Sequence, residues 1–318
     1  MAKGTHEYAD DPRNAAIKIS VNGELVPRAD AVVSVFDSGF VLGDGVWEGL
    51  RVVDGKIAFL DAHLDRLAEG AKALDMDIGL DRAGMAARIF DVLEANGMAA
   101  PGTDGVHIRL MVTRGVKRTP YQDPRVTIGP ATVVVIPEWK TPSPDVLARG
   151  VRLFTVHVRR GYPDVQDQKI NSHSKINCIL ACIQAAKAGY DEALMLDPHG
   201  FVATCNSTHF FIVKGGELWT STGDFCLGGI TRGNILRLAR DNGIVAREKN
   251  FSLYDVYSAD EAFVTGTFAG LTPVVEVDGR SIGRAGEGGD VSGPLTRRLR
   301  GLYKALQHAE ARGRPPQP

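Results

Sequence analysis

The chain reads as an α+β protein of two domains. Three features of its 318 residues carry that expectation. Short alternating apolar segments are joined by Asn-Gly and Asp-Gly turns. Helical repeats are interspersed among them. A stretch with two prolines and few large apolar residues, KTPSPDVLARG (140–150), interrupts the chain near its middle and reads as the connection between domains. With 44% hydrophobic and 24% charged residues, the composition suits one large or two medium globular domains.

Residues 1–14 are polar and irregular and are expected to form a loose arm. A small domain over 15–138 follows. AIKISVNGELVPRADAVVSVFD alternates around Asn22-Gly23 as a hairpin, and GVWEGLRVVDGKIAFL repeats the pattern around Asp54-Gly55. Two helices come next, DAHLDRLAEGAKAL and DRAGMAARIFDVLEANG, the second stopped by Asn96 and Gly97. The strands HIRLMVTRG and TVVVIPEW complete a sheet packed with those helices. After a linker at 139–149, a larger domain is expected over 150–308. It runs from the strand VRLFTVHV and an irregular RRGYPDVQDQKINSH into the helix SKINCILACIQAAKAG and the strands EALMLD, FVAT and HFFIVKGGELWT. Then come the helix ITRGNILRLARDNG, the strand DEAFVTG and a hairpin around VDGRSIG. RAGEGGD reads as a flexible link to a last helix, GPLTRRLRGLYKAL, with 309–318 as a tail.

The chemistry concentrates in GGITRGN (228–234) and VTGTFAGLTPV (264–274). Each offers a small residue, a hydroxyl and free backbone N–H groups at a turn, and the first opens a helix. A helix start of that kind favours an anion, because its unpaired amides and the helix dipole both point at it. Two such segments together suggest a phosphorylated ligand.

Those segments, with VFDSGFVLGDGVWEGLRVVDGKIAFLDAHLDRL (35–67) and DEALMLDPHGFVATCNSTHFFIV (191–213), resemble in sequence and order the class IV, fold-type IV aminotransferase family. The resemblance runs from about Ile17 to about Leu306. It implies a smaller N-terminal α/β domain, a larger barrel-like C-terminal domain, pyridoxal 5'-phosphate as cofactor, and an amino donor and a 2-oxo acid as substrates. It also implies a homodimer or higher homo-oligomer. Arg66 in HLDRL resembles the arginine that clamps the cofactor phosphate, a task suited to a planar, charge-assisted fork. Gly229, the Ile230 and Thr231 amides, the Thr231 hydroxyl, Gly266 and Thr267 resemble the other phosphate contacts.

Trp47, Gly49 and Arg51 alternate along one strand face, as do His107 and Arg109. With Phe36, Phe40 and Phe268, they are the expected substrate-side residues, an apolar set beside basic groups that fits an apolar side chain carrying a carboxylate. Arg114 and Arg118 are placed on a loop at the pocket mouth.

Two positions depart from the family pattern. The Schiff-base lysine, counted back from the Ala-Gly that ends its following helix, falls near Ile170 or Asn171. Lys169 is the nearer lysine and would share a strand face with Asn171 if the strand persists; Lys175 is the alternative, and a third possibility is that neither forms the bond. The glutamate that pairs with the pyridine nitrogen is replaced by Thr204, which favours an unprotonated, weaker electron sink. Asn171, His173, Asn206 and His209 cluster around the altered positions as replacement acid, base or hydrogen-bonding groups.

A formal net charge of −1 gives no reason to expect a nucleic-acid or membrane partner. No apolar run approaches a membrane span and the first residues lack a signal peptide's apolar centre, so the cytoplasm is the default expectation. Cys178, Cys182, Cys205 and Cys226 form neither a metal-ligand spacing nor a disulfide framework. The expected activity is amino-group transfer on a branched-chain-like or other apolar amino acid or amine. A lyase on the same scaffold, as in aminodeoxychorismate lyases, and a non-catalytic or cofactor-free binder of a phosphorylated metabolite are the alternatives.

Overall fold

The computed structural model describes residues 4–283 and 291–313. The chain divides into two compact units. An N-terminal unit comprises 10–141, the short stretch 170–174 and the described residues from 307. A C-terminal unit comprises the described residues up to 9, 142–169 and the described part of 175–306.

In the N-terminal unit, β1 (Lys18–Val21) and β2 (Glu24–Pro27) form the first hairpin. Its turn residues Asn22 and Gly23 take positive φ, the conformation that an Asn-Gly turn supplies with little steric cost. The short helix α1 (Ser38–Leu42) precedes β3 (Gly45–Val53) and β4 (Lys56–Ile57), again joined through positive-φ Asp54 and Gly55. Helices α2 (Leu60–Ala73) and α3 (Arg82–Ala95) lead to β5 (Val106–Thr113) and β6 (Thr132–Trp139). The strands form a six-stranded sheet in the order β2-β1-β6-β5-β3-β4. Period-two alternation sends Val46, Leu50 and Val52 of β3, and Ile108, Leu110 and Val112 of β5, into a core shared with Leu64 and Leu67 of α2 and Ile89 and Leu93 of α3.

The C-terminal unit begins with α4 (Pro144–Arg149), β7 (Val151–Thr155), α5 (Pro163–Gln166) and α6 (Ile176–Lys187). It continues through β8 (Glu192–Leu196), β9 (Val202–Cys205), β10 (His209–Lys214), β11 (Glu217–Thr220), α7 (Ile230–Asp241), β12 (Ala246–Glu248) and α8 (Leu253–Tyr257). β13 (Glu261–Gly266), β14 (Gly270–Val277), β15 (Arg280–Ser281) and α9 (Pro294–Gly313) complete the described elements. The sheet path is β12-β11-β10-β13-β14-β7-β8-β9, with β15 paired to β14. β9 turns directly into β10 through a bond from Cys205 N–H to the Thr208 carbonyl, so the path doubles back toward its own interior strands. Leu153, Leu194, Phe210, Ile212, Val264 and Val277 fill the main core of this unit.

The mixture of antiparallel hairpins and helices is the α+β class expected from the sequence, with several local differences. The polar arm is seated from residue 4 onward. Thr5 Oγ1 donates to Glu192 Oε2 at 3.0 Å, His6 stacks on Phe268, and Ser143 N–H bonds to the Glu7 carbonyl. Asn14 exchanges two 2.8 Å bonds with the Trp139 backbone. These polar residues find partners far along the chain, a pairing that local composition does not encode. Within the proline-containing connection, residues 144–149 form α4, because proline is tolerated in a first helical turn. The last helix runs to Gly313, through the beginning of the expected tail. The glycine-rich link at 284–290 lies outside the described residues, as do 314–318 of the tail.

Candidate active site

Strand β3 pairs with β5 so that Trp47 faces Met111, Gly49 faces Arg109 and Arg51 faces His107. Residues directly opposite in an antiparallel ladder share a sheet face, so Trp47, Arg51, His107 and Arg109 stand together on the face away from α2 and α3. The Arg109 guanidinium lies 3.8 Å from the centroid of the Trp47 ring, a cation–π contact. Burial opposes the Arg109 charge and the Glu138 carboxylate supports it. Burial also holds Lys140 below the ordinary lysine range, with Glu138 opposing that shift and the Arg109 charge adding to it. Gly49 leaves room here, since a Cβ at that position would come within 3.2 Å of His107 Nε2.

Asn171 joins the same face. The stretch 170–174 runs antiparallel to the start of β3, with an isolated bridge between Val46 and Ser172. Trp47 N–H donates to the Asn171 carbonyl and His173 N–H to the Gly45 carbonyl, both at 2.9 Å. That register puts Asn171 opposite Trp47. Its side-chain Nδ2 also donates to the Trp47 carbonyl at 2.6 Å, and the Trp47 indole donates to the Ser172 carbonyl at 3.1 Å. His173 Nε2 lies 3.0 Å from the Val46 carbonyl.

The strand does not persist to Lys169, which sits in a turn with its side chain exposed and its N–H bonded to Asp167 Oδ1 at 2.9 Å. The shared strand face expected for Lys169 and Asn171 is therefore absent. Lys175 immediately precedes α6, at the N-cap position, with no side-chain bond capping the helix.

Arg66 projects from α2 onto the opposite, core face of β3. Its Nε and Nη2 donate to the Glu48 carboxylate at 2.8 and 2.6 Å, while His63 Nδ1 lies 2.7 Å from Glu48 Oε2. Burial alone would raise the Glu48 pKa, but the bonds from His63 and Arg66 outweigh it and hold the carboxyl below its usual range. Burial holds His63 low, against the Glu48 charge, so the imidazole is neutral at pH 7 and donates through Nδ1.

In the C-terminal unit, α7 starts at Ile230 behind Gly229 with no side-chain cap, leaving its leading amides suited to an anion. The Thr231 hydroxyl is instead paired with the Tyr303 hydroxyl at 3.1 Å. His209 of β10 packs against Gly229, and a Cβ there would fall 2.3 Å from its Nε2. Across the ladder from His209 lies Thr265, whose hydroxyl is fully buried and has no hydrogen-bond partner among the described residues. Gly266 ends β13 and Thr267 opens the turn toward β14.

Thr204 is buried in β9 and donates to the Thr208 carbonyl at 2.8 Å. Asn206 Oδ1 accepts the Ala193 N–H. Beside them Glu192 accepts from the hydroxyls of Thr5, Ser207 and Thr208, and burial pushes its pKa up against those bonds.

Phe268 stacks on His6 and is buried. Phe36 and Phe40 are exposed. Arg114 bonds bidentately to Asp44 and to the carbonyls of Leu74 and Asp75. Among the described residues no group of acidic, histidine or cysteine side chains is arranged to hold a metal ion, and no helix is long and apolar enough to cross a membrane.

Glu48, Glu192 and Thr265 are missing from the sequence-based set. Glu48 was within reach, because a charged residue at an inward position of an alternating strand must find a partner.

Residues 45–277 match the family model described as amino-transferase class IV. The chain is 43% identical over 295 residues to branched-chain-amino-acid aminotransferase-like protein 2 of Arabidopsis thaliana, covering 93% of this chain but only 51% of that protein. It is 40% identical to a putative branched-chain-amino-acid aminotransferase of Methanocaldococcus jannaschii, covering 92% of this chain and 96% of that one. The T.th. branched-chain amino acid aminotransferase complexed with N-(5'-phosphopyridoxyl)-L-glutamate superposes with a TM-score of 0.82 at 32% identity, over 92% of this chain and 95% of that one. By sequence and by fold, the chain belongs to the class IV aminotransferase family.

Proposed function

We propose that this chain works as a pyridoxal-phosphate-dependent aminotransferase that moves an amino group between a branched-chain-like, apolar amino acid and a 2-oxo acid. The observation that carries the substrate class is the sheet face of Trp47, Arg51, His107 and Arg109. The indole gives an apolar side chain a surface to cover, and the two guanidinium groups supply forked donors for its carboxylate. The names of the relatives agree with that class.

The residues fit the cofactor unevenly. Its phosphate suits the uncapped start of α7 behind Gly229, whereas the Arg66 guanidinium is bonded to Glu48 on the core face of β3. The ring does not find a carboxylate at Thr204, whose hydroxyl proton is committed to the Thr208 carbonyl. A bound pyridoxal group would supply the amino-group exchange; the amides at the start of α7 would hold its phosphate, and Arg51 and Arg109 would take the substrate carboxylate.

A homo-oligomer is part of the same reading. On α6, Ile176, Ile179, Leu180 and Ile183 are exposed at helical spacing, an apolar stripe of the kind a second copy covers.

The test is amino transfer from leucine, isoleucine or valine to 2-oxoglutarate with added pyridoxal phosphate, read as new glutamate. The expected result is transfer above the rate of free cofactor, with little from aspartate. No transfer from any of the three donors would overturn the reading.

A further inference from the structure

Resting on the cofactor reading above, we propose that this chain holds its pyridoxal-type cofactor without a covalent bond to any lysine, by its phosphate and by non-covalent contacts alone. Of the two positions that the count from the following helix allows for a lysine, Ile170 packs against the core and Asn171 shares the Trp47–Arg109 face, fixed there from both sides of its own residue. Its carbonyl accepts the Trp47 N–H and its Nδ2 donates to the Trp47 carbonyl at 2.6 Å. An amide nitrogen has its lone pair delocalised into the neighbouring carbonyl, so it cannot add to an aldehyde.

The nearby amines do not take over. Lys169 is exposed in a turn, outside the paired stretch that aims Asn171. Lys175 lies four residues beyond Asn171 at the start of α6, where the extended pairing has ended. Lys117, the one lysine among the largest fully buried side chains of the described residues, donates to the Asp123 carbonyl in the loop after β5.

A second altered position points the same way. Thr204 is neutral, and its hydroxyl donates to a backbone carbonyl. Yet α7 keeps a glycine N-cap and no side chain caps its amides. The groups that would bond the cofactor covalently and protonate its ring have both changed, while the anion-binding helix start persists.

The experiment compares pyridoxal phosphate with pyridoxamine phosphate, which has no aldehyde, on the full chain. Calorimetry gives the two affinities, and borohydride treatment followed by peptide mapping reads any bond to lysine. The expected result is two dissociation constants within about tenfold of each other, loss of both ligands on gel filtration, and no lysine modified beyond a phosphate-saturated control. Asn171→Lys is expected to gain a modified residue at position 171. There the new amine adds to the aldehyde carbon, water leaves, and hydride from borohydride converts the C=N bond to a secondary amine.

A reduced adduct at Lys169, Lys175 or another single lysine of the wild type would overturn the inference and leave the cofactor reading standing. Failure of both ligands to bind would overturn both. If Asn171→Lys does not fold, the wild-type affinity ratio and peptide map still decide.

Discussion

Removing Arg66 is expected to damage stability as well as ligand affinity, and the geometry sets the size. Glu48 is fully buried, and two of its three close donor contacts, at 2.8 and 2.6 Å, come from Arg66; the third, at 2.7 Å, is from His63. In Arg66→Ala the carboxylate keeps only a neutral imidazole. Breaking a buried ion pair from one side costs about 3–5 kcal/mol.

The pH dependence follows from the signs. In the wild type the Glu48 pKa is below its reference of 4.5, so its contribution is complete above that value and is lost as pH falls through the folded pKa. His63 is below its reference of 6.5, so its contribution is present above that value and declines in acid. Without Arg66, burial dominates at Glu48 and a repulsive charge beside His63 disappears, so the folded variant takes up a proton more readily. The gap between variant and wild type should therefore narrow as pH falls from about 7.5 to about 5.5. Urea unfolding at both pH values, followed by tryptophan fluorescence, measures it. A loss below about 1 kcal/mol at the higher pH, or a gap independent of pH, would refute the reasoning.

Three further outcomes are expected. Arg109→Met should raise KM for 2-oxo acids about 10- to 100-fold, matching the loss of a charge-assisted bond of about 1.5–3 kcal/mol; initial-rate kinetics in which kcat falls while KM holds would count against a carboxylate contact. Gly229→Ala forces a methyl to within 2.3 Å of the His209 Nε2 position, so thermal unfolding should show about 1–3 kcal/mol of overpacking, relieved in the double variant with His209→Ala; an unrelieved loss would place the strain elsewhere. Ile179→Glu with Leu180→Glu puts two charges into the exposed stripe of α6 and should shift light scattering toward monomer, whereas an unchanged mass would remove α6 from the interface.

The hairpins at Asn22-Gly23 and Asp54-Gly55 were legible because their turn chemistry is local and their strands alternate with period two. The common face of Trp47, Arg51, His107 and Arg109 followed from the same alternation, with the β3–β5 register bringing the two pairs side by side. Spacing could also nominate the start of α7. It could not show that the Thr231 hydroxyl is spent on Tyr303, because that bond spans 72 positions. The partnership of Arg66 with Glu48 needs the crossing of α2 over β3, and the placement of Lys169 turned on where an extended stretch begins. The short helix α8 was missed although Ser252 and Asp255 form a capping box, a signal only four residues long.

The five residues 170–174 set an order of events for the growing chain. The start of β3 has its edge partner only once residue 174 has been made, 127 positions after Trp47. At bacterial or eukaryotic elongation rates of about 5–20 residues per second, that wait is about 6–25 s. Through it, Gly45 to Trp47 present unpaired amides and carbonyls to any passing strand. A chain ending before residue 170 lacks that partner altogether, and the edge of Gly45 to Trp47 stays open until 170–174 has left the ribosome.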